Sequence, residues 1–269
     1  LHDVIKSADP NLFMTFNSFT DPWAGSNARG DSARPHRFAD SIVHENTMNA
    51  ANQLEAGYCG KMLRATVEGR PAQVCHKTWN LTPFNFVYGE PSETEVAALL
   101  YAGLIHGNIV GIHSSMDENG APHRQRTAVY HRVVARARKQ LDLFTDATPY
   151  YEVGLHYSDR SSWFYGGDAP APYTCCPAGA EQIMVESHVL SGVVLDHQFD
   201  AAHLDKFRCL FLANSACMSD RQCEAVRRYV ADGGNLIATF ETSLYDEWEN
   251  FRGDFALADV FGVHYKGVD

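Results

Sequence analysis

Residues 206–242, KFRCLFLANSACMSDRQCEAVRRYVADGGNLIATFET, carry three structural signals in immediate succession, and together these admit few folds. Cys209-Leu210-Phe211-Leu212-Ala213 is a short run that is apolar on both faces, the pattern of a strand covered by helices on each side. It stops at Asn214. Ser219 offers an N-cap with Asp220 in the first turn, and Cys223, Val226, Val230 and Ala231 recur at intervals of three and four, which predicts a helix with one apolar face. Gly233-Gly234 supplies the left-handed residue that closes such a helix, and residues 235–240 begin another buried strand. Strand, helix and strand in this order make a right-handed βαβ crossover, so this part of the chain belongs to a parallel α/β sheet.

The first half alternates in the same way. Strands are expected at 11–16, 39–43, 72–75 and 109–112, and helices at about 49–67, from Ser92 with its capping-box partner Glu95 to about Gly107, and at about 125–143. Residues 1–6 read as the tail of a helix cut mid-element, and 261–265 as the start of a strand, so the chain reads as a fragment. Four strand-then-helix units in about 140 residues form half of a (β/α)8 barrel or a doubly wound sheet. No Gly-x-Gly-x-x-Gly follows any strand, which gives no support to nucleotide binding of the Rossmann type.

Charge and cysteine usage narrow the function classes. The formal net charge of -11 opposes nucleic-acid binding, which needs a basic face, and Arg132, Arg136, Arg138 and Lys139 fit one solvated helix face. No apolar run is long enough to span a bilayer, so no membrane partner is expected. Seven cysteines are an odd number, and Cys75 and Cys209 fall in expected buried strands, which favours a reducing, cytoplasmic compartment over a disulfide framework. Cys175-Cys176 lacks a Cys-x-x-Cys partner and reads as loop packing. The thirteen histidines show no metal-ligand spacing, so neither a metal nor another cofactor is expected.

Candidate site residues gather where the expected strands end: Asn17, His44, Glu45, His76, Lys77, Trp79 and His113. Polar groups and an aromatic at the C-terminal ends of barrel strands are suited to a sugar: a carboxyl for proton transfer, amides and imidazoles for hydroxyls, an aromatic face for stacking. Glu45 is the candidate catalytic residue, and Asn17, His44, His76, Lys77, Trp79 and His113 are candidates for substrate binding. Each also has a structural reading. Glu45 could pair with Arg37 or Lys77, His76 and His113 could be near-core histidines, and Trp79 could cap the sheet.

Several segments carry a resemblance. FADSIVHEN at 38–46, Trp79-Asn80, EVAALLYAGLIHGNIVGIH at 95–113 and the Gly-Ala-Pro turn at 120–122 are similar to the C-terminal half of the barrel in family 42 β-galactosidases and the related α-L-fucosidases. RRYVADGGNLIATFET at 227–242, with LADVFGV at 257–263, resembles the glutamine-amidotransferase-like "trimerisation" domain of the same enzymes. The resemblance implies a fold class of α/β: the C-terminal half of a (β/α)8 TIM barrel over residues 1–148, then a flavodoxin-like, doubly wound domain over 149–269. It implies a glycoside hydrolase acting on a carbohydrate substrate by carboxylate acid/base chemistry, assembled as a homo-oligomer such as a trimer. One departure stands out. The family pattern places a nucleophilic Glu after the penultimate barrel strand, where this chain has Val74-Cys75-His76-Lys77. Glycosidic cleavage uses two carboxyls, roughly 5–5.5 Å apart for retention and wider for inversion. Either the partner of Glu45 stands on an earlier strand, or the protein is a catalytically inactive carbohydrate-binding or assembly protein with the same folds.

In the second domain the expected elements are a strand at 151–158, a loop at 163–176, a helix at 181–190 and a short strand at 193–195. Ser158 and Asp159 follow the first strand, where such sheets bind ligands. An amidotransferase needs a nucleophilic Cys at a strand-to-helix elbow. Cys217 is the nearest, without the glycines of that elbow, and a structural role is expected for it.

Overall fold

Every strand expected in the first half forms, and each runs further toward its C-terminal end than the apolar residues that signal it. In the computed structural model β1 is Thr15–Ser18, β2 Ser41–Thr47, β3 Ala72–Lys77 and β4 Ile109–His113. The physical reason is that backbone pairing in a parallel sheet continues through polar residues. Asn17, His44, Glu45, His76, Lys77 and His113 therefore lie within strands and not beyond them. The structure describes residues 2–18, 38–47, 54–69, 71–77, 92–113, 119–121, 124–165, 173 and 175–267. Two compact units divide these, the first running to Pro149 and the second starting at Tyr150.

In the first unit the four strands pair in sequence order, all parallel. Ahead of them lies α1 (His2–Ala8), and Lys6 reaches Asp40 at 2.8 Å while Asp40 also accepts from the Met14 amide at 2.7 Å. These bonds join α1 to the N-terminal ends of β1 and β2. Between β2 and β3 runs α2 (Leu54–Val67), whose Leu63 and Val67 pack on Ile42, Ala72 and Val74. Between β3 and β4 runs α3 (Glu93–Leu104), begun by the expected capping box: Ser92 Oγ accepts from Glu95 N, and Glu95 accepts from Ser92 N at 2.7 Å. Gly107, at φ +73°, turns the chain out of that helix region and into β4. The last helix, α4 (Arg124–Arg138), ends earlier than its basic pattern suggests, and a separate 3-10 turn covers Leu141–Leu143. Val133 and Ala137 of α4 close a core with Val96, Leu100, Val110 and Ile112, while Arg132 and Arg136 lie on its exposed side and both bind Glu93.

The second unit is a parallel sheet of β5 (Val153–Tyr157), β6 (Ser191–Leu195), β7 (Cys209–Ala213) and β8 (Asn235–Thr239) in the order β6-β5-β7-β8. That order reverses direction between β5 and β7, as in doubly wound sheets. The segment expected as a loop at 163–176 departs from expectation at both ends. A short helix, α5 (Asp159–Phe164), starts at Ser158, whose Oγ caps Ser161 N, and α6 (Cys175–Glu186) begins at the adjacent cysteines with Pro177 in its first turn. After α7 (Ala201–Leu204) comes α8 (Asp220–Ala231), capped by Ser219 as the sequence predicts, with Gln222 completing a capping box. Residues 261–265 are not a strand: α9 (Ala258–Phe261) closes at Gly262, φ +70°.

The core of this unit brings Leu210 and Leu212 of β7 against Val226 and Tyr229 of α8, with Phe199, Leu204, Phe207, Met218 and Leu257. Tyr229 shows why Gly234 follows the helix. A Cβ there would stand 2.4 Å from the phenol ring, whose hydroxyl donates to Phe207 O at 3.0 Å. All seven cysteines are free thiols. No described helix is long and apolar enough to cross a membrane.

Candidate active site

Strand register sets the candidate residues of the first unit beside one another. Glu45 pairs with Cys75, and Cys75 with Gly111. Thr47 pairs with Lys77, and Lys77 with His113; Asn17 pairs with Val43. Residues that alternate along a strand fall on opposite faces of the sheet. Ile42, Ala72 and Val74 pack on α2, so their phase is the helix-covered face. Asn17, Glu45, Lys77 and His113 fall in the other phase. His44 falls in the phase of Ile42 and is fully buried, and His76 shares that phase. The expected cluster is thus divided: four backbone positions on the uncovered face and two on the helix side. For Asn17, Glu45, His76, Lys77 and His113 the structure describes the backbone position, and Trp79 lies outside the described residues.

The level of Glu45 is occupied by small and neutral groups. Gln73 Nε2 lies 3.1 Å from Cys75 Sγ, and a Cβ on Gly111 would meet both, at 2.8 and 2.9 Å. Gln73 and Cys75 therefore occupy the space that a side chain at Gly111 would need. Among the described strands Glu45 is the one carboxylate, so β1 to β4 supply a single acid/base group at this level. Among the described residues no group of three His, Cys, Asp or Glu side chains is placed to hold a metal ion.

In the second unit the crevice between the C-terminal ends of β5 and β7, where doubly wound sheets bind ligands, is filled by the protein itself. Ser158, Ser161, Ser215 and His156 are all fully buried there. Ser215 Oγ donates to His156 Nδ1 at 2.7 Å, and His156 Nε2 donates to Asp196 Oδ1 at 3.0 Å. Asp196 also accepts from the Arg160 amide and from Gln222 Nε2. Burial alone would raise the pKa of this carboxyl, but the hydrogen bonds it accepts, from His156 above all, outweigh that and hold the value below the ordinary range. Serine, histidine and aspartate in series are the parts of a hydrolytic triad. Here the series is closed to substrate, with the Phe199 ring 4.6 Å from His156 in an edge contact and the serine without exposed surface. Its effect is to fasten the ends of β5, β6 and β7. Sequence reasoning passed over all three residues. The available signal was a histidine inside an otherwise apolar strand, since a buried imidazole needs partners.

Asn214, next to Ser215, holds φ +57°, a conformation that asparagine tolerates better than most residues, and the Thr239 hydroxyl accepts from its amide at 3.0 Å. Nearby, Tyr165 donates to Glu241, and its phenol is pushed far above its usual range by burial first and by this carboxylate second. Cys217 is fully buried beyond the elbow. Burial, with the charges of Glu249, Asp196 and Asp246, pushes its thiol up to about 12, so it is protonated and unreactive near neutral pH. This agrees with the structural role expected for it.

No family model matches the chain, and no curated protein is significantly similar to it in sequence. Solved structures are similar in fold. A β-galactosidase from Bacillus circulans sp. alkalophilus superposes with a TM-score of 0.80 at 16% identity, over 99% of this chain and 42% of that one. Gan42B, a GH42 β-galactosidase from G. stearothermophilus, gives 0.78 at 16% identity over 98% and 42%. α-L-Fucosidase isoenzyme 2 from Paenibacillus thiaminolyticus gives 0.67 at 16% identity over 91% and 35%. The chain thus spans less than half the length of these enzymes. Over nearly all of its own residues it has the fold of a part of GH42 β-galactosidases, two parallel α/β sheets in succession.

Proposed function

We propose that the chain is part of a glycoside hydrolase, β-galactosidase-like or α-L-fucosidase-like, in which Glu45 acts as the acid/base group on the glycosidic oxygen. The observation that carries this reading is the position of Glu45. It stands in β2 of a parallel sheet, in the phase away from the helices, with Asn17, Lys77 and His113 in the same phase on neighbouring strands. A general acid there would protonate the departing oxygen, while the ammonium and imidazole of the level above, at Lys77 and His113, and the amide of the level below, at Asn17, would suit sugar hydroxyls. The fold shared with β-galactosidases and a fucosidase supports the reaction class, and these two substrates differ enough to leave the sugar undefined. The second carboxyl would come from outside the strands described. By the same resemblance, the second unit would serve assembly into a homo-oligomer such as a trimer.

A specific observation favours the second reading, a carbohydrate-binding protein without hydrolysis: β3 carries no carboxylate, and Cys75 and Gly111 stand level with Glu45. Glu45→Gln distinguishes the two. In the full-length protein it is expected to lower hydrolysis of natural glycosides by a factor of about 100 to 10,000, and to affect aryl glycosides with good leaving groups less in the bond-breaking step. Wild-type rates on both substrates would remove Glu45 from the chemistry.

A further inference from the structure

We infer that the turn at residues 246–250 of the second unit is a carbohydrate-binding platform, with Trp248 as its stacking surface. Asp246 holds the turn closed. Its Oδ1 accepts from Trp248 N at 2.8 Å and Asn250 N at 2.9 Å, its Oδ2 accepts from Asn250 Nδ2 at 2.9 Å, and its own amide donates to Asn250 O at 3.0 Å. Below the turn the Tyr245–Phe251 bridge and the fully buried Leu244 anchor it, and the Tyr245 amide donates to Ala216 O at 3.0 Å. On this rigid base Trp248 is 71% exposed. An indole held out in water contributes little to the core. A preorganised aromatic side chain is instead a common anchor for a ligand.

The surroundings of the ring choose among ligands. Arg160 lies over it, 5.8 Å from the centroid, which disfavours a cationic ligand and leaves one face for stacking. Glu247 and Glu249 flank it in sequence, and their charge disfavours nucleic-acid phosphate. A protein interface of ordinary size needs about 800 Å² per partner with charged residues depleted at its centre, whereas a guanidinium stands over this ring and acidic residues adjoin it in sequence. A pyranose fits what remains. Its C–H face covers an aromatic ring, and its hydroxyls donate to carboxylates and accept from a guanidinium.

The inference stands on the second unit alone and does not depend on hydrolysis. Affinity electrophoresis of the full 269-residue chain through gels containing xyloglucan, glucomannan or arabinogalactan tests it. At least one polysaccharide is expected to retard the wild type. Trp248→Ala should weaken that retardation about tenfold or more, as loss of one stacking ring does, while Trp248→Tyr retains most of it. Wild-type protein that no gel retards, or Trp248→Ala protein retarded like wild type, overturns the inference. So does a Trp248→Ala variant altered only in sedimentation, which would assign the turn to contact between copies of the chain.

Discussion

His106 makes the first unit sensitive to acid. It follows α3, its ring lies against Gly57 and Gly60 of α2, and it is 9% exposed. Burial first, and the nearby Lys61 charge second, push its pKa down to about 3 from an ordinary 6.5. The fold thus holds the imidazole neutral, while the unfolded chain takes up a proton below pH 6.5. A depressed pKa of this kind leaves full stability above the unfolded value and removes it as pH falls toward the folded one. Between pH 7.5 and pH 5 the loss comes to about 2 kcal/mol, because 1.5 pH units lie between 6.5 and 5 at about 1.4 kcal/mol each. Segment-resolved hydrogen exchange reads it directly. After correction for intrinsic rates, protection of peptides covering Leu54–Val67 and Glu93–Leu104 should fall about 30-fold in wild type over that interval. In His106→Gln this component should vanish, leaving only the background of the carboxylates. Equal pH dependence in the two proteins would refute a buried neutral imidazole.

Three further predictions concern the second unit. Ser215→Ala leaves His156 Nδ1 buried without its donor, and should cost about 1–3 kcal/mol in unfolding of this unit, with no change in any glycosidase activity. Because the Asp196 carboxyl is held below its ordinary range, its share of stability is present above about pH 4 and disappears as pH falls through the folded value, a dependence that Asp196→Asn should flatten. Cys217, with its thiol at about 12, should resist iodoacetamide at pH 8 under conditions that label the exposed Cys175; rapid labelling of Cys217 in the folded protein would contradict the burial assigned to it.

Much of this architecture is local and therefore legible in the residues themselves. Ser92 with Glu95, and Ser219 by itself, announce helix starts, because a cap is a contact over three residues. Cys209–Ala213 and Asn235–Thr239 read as strands from apolar pattern alone, although the second lies at the end of the described sheet and is partly exposed, not buried as that pattern suggests. The short helix at Asp159–Phe164 was not legible, because a single capped turn lacks the length for periodicity to show. Glu45, His76 and their neighbours could be placed near strand ends but not on a face. Apolar pattern marks where a strand is buried, whereas pairing with the adjacent strand decides how far it extends, and one residue of register exchanges the two faces. Only the tertiary structure separated His44, in the phase of Ile42, from Glu45 in the other. It alone brought His156, Asp196 and Ser215 together, since hydrogen bonds between residues 40 and 59 positions apart leave no mark on local sequence.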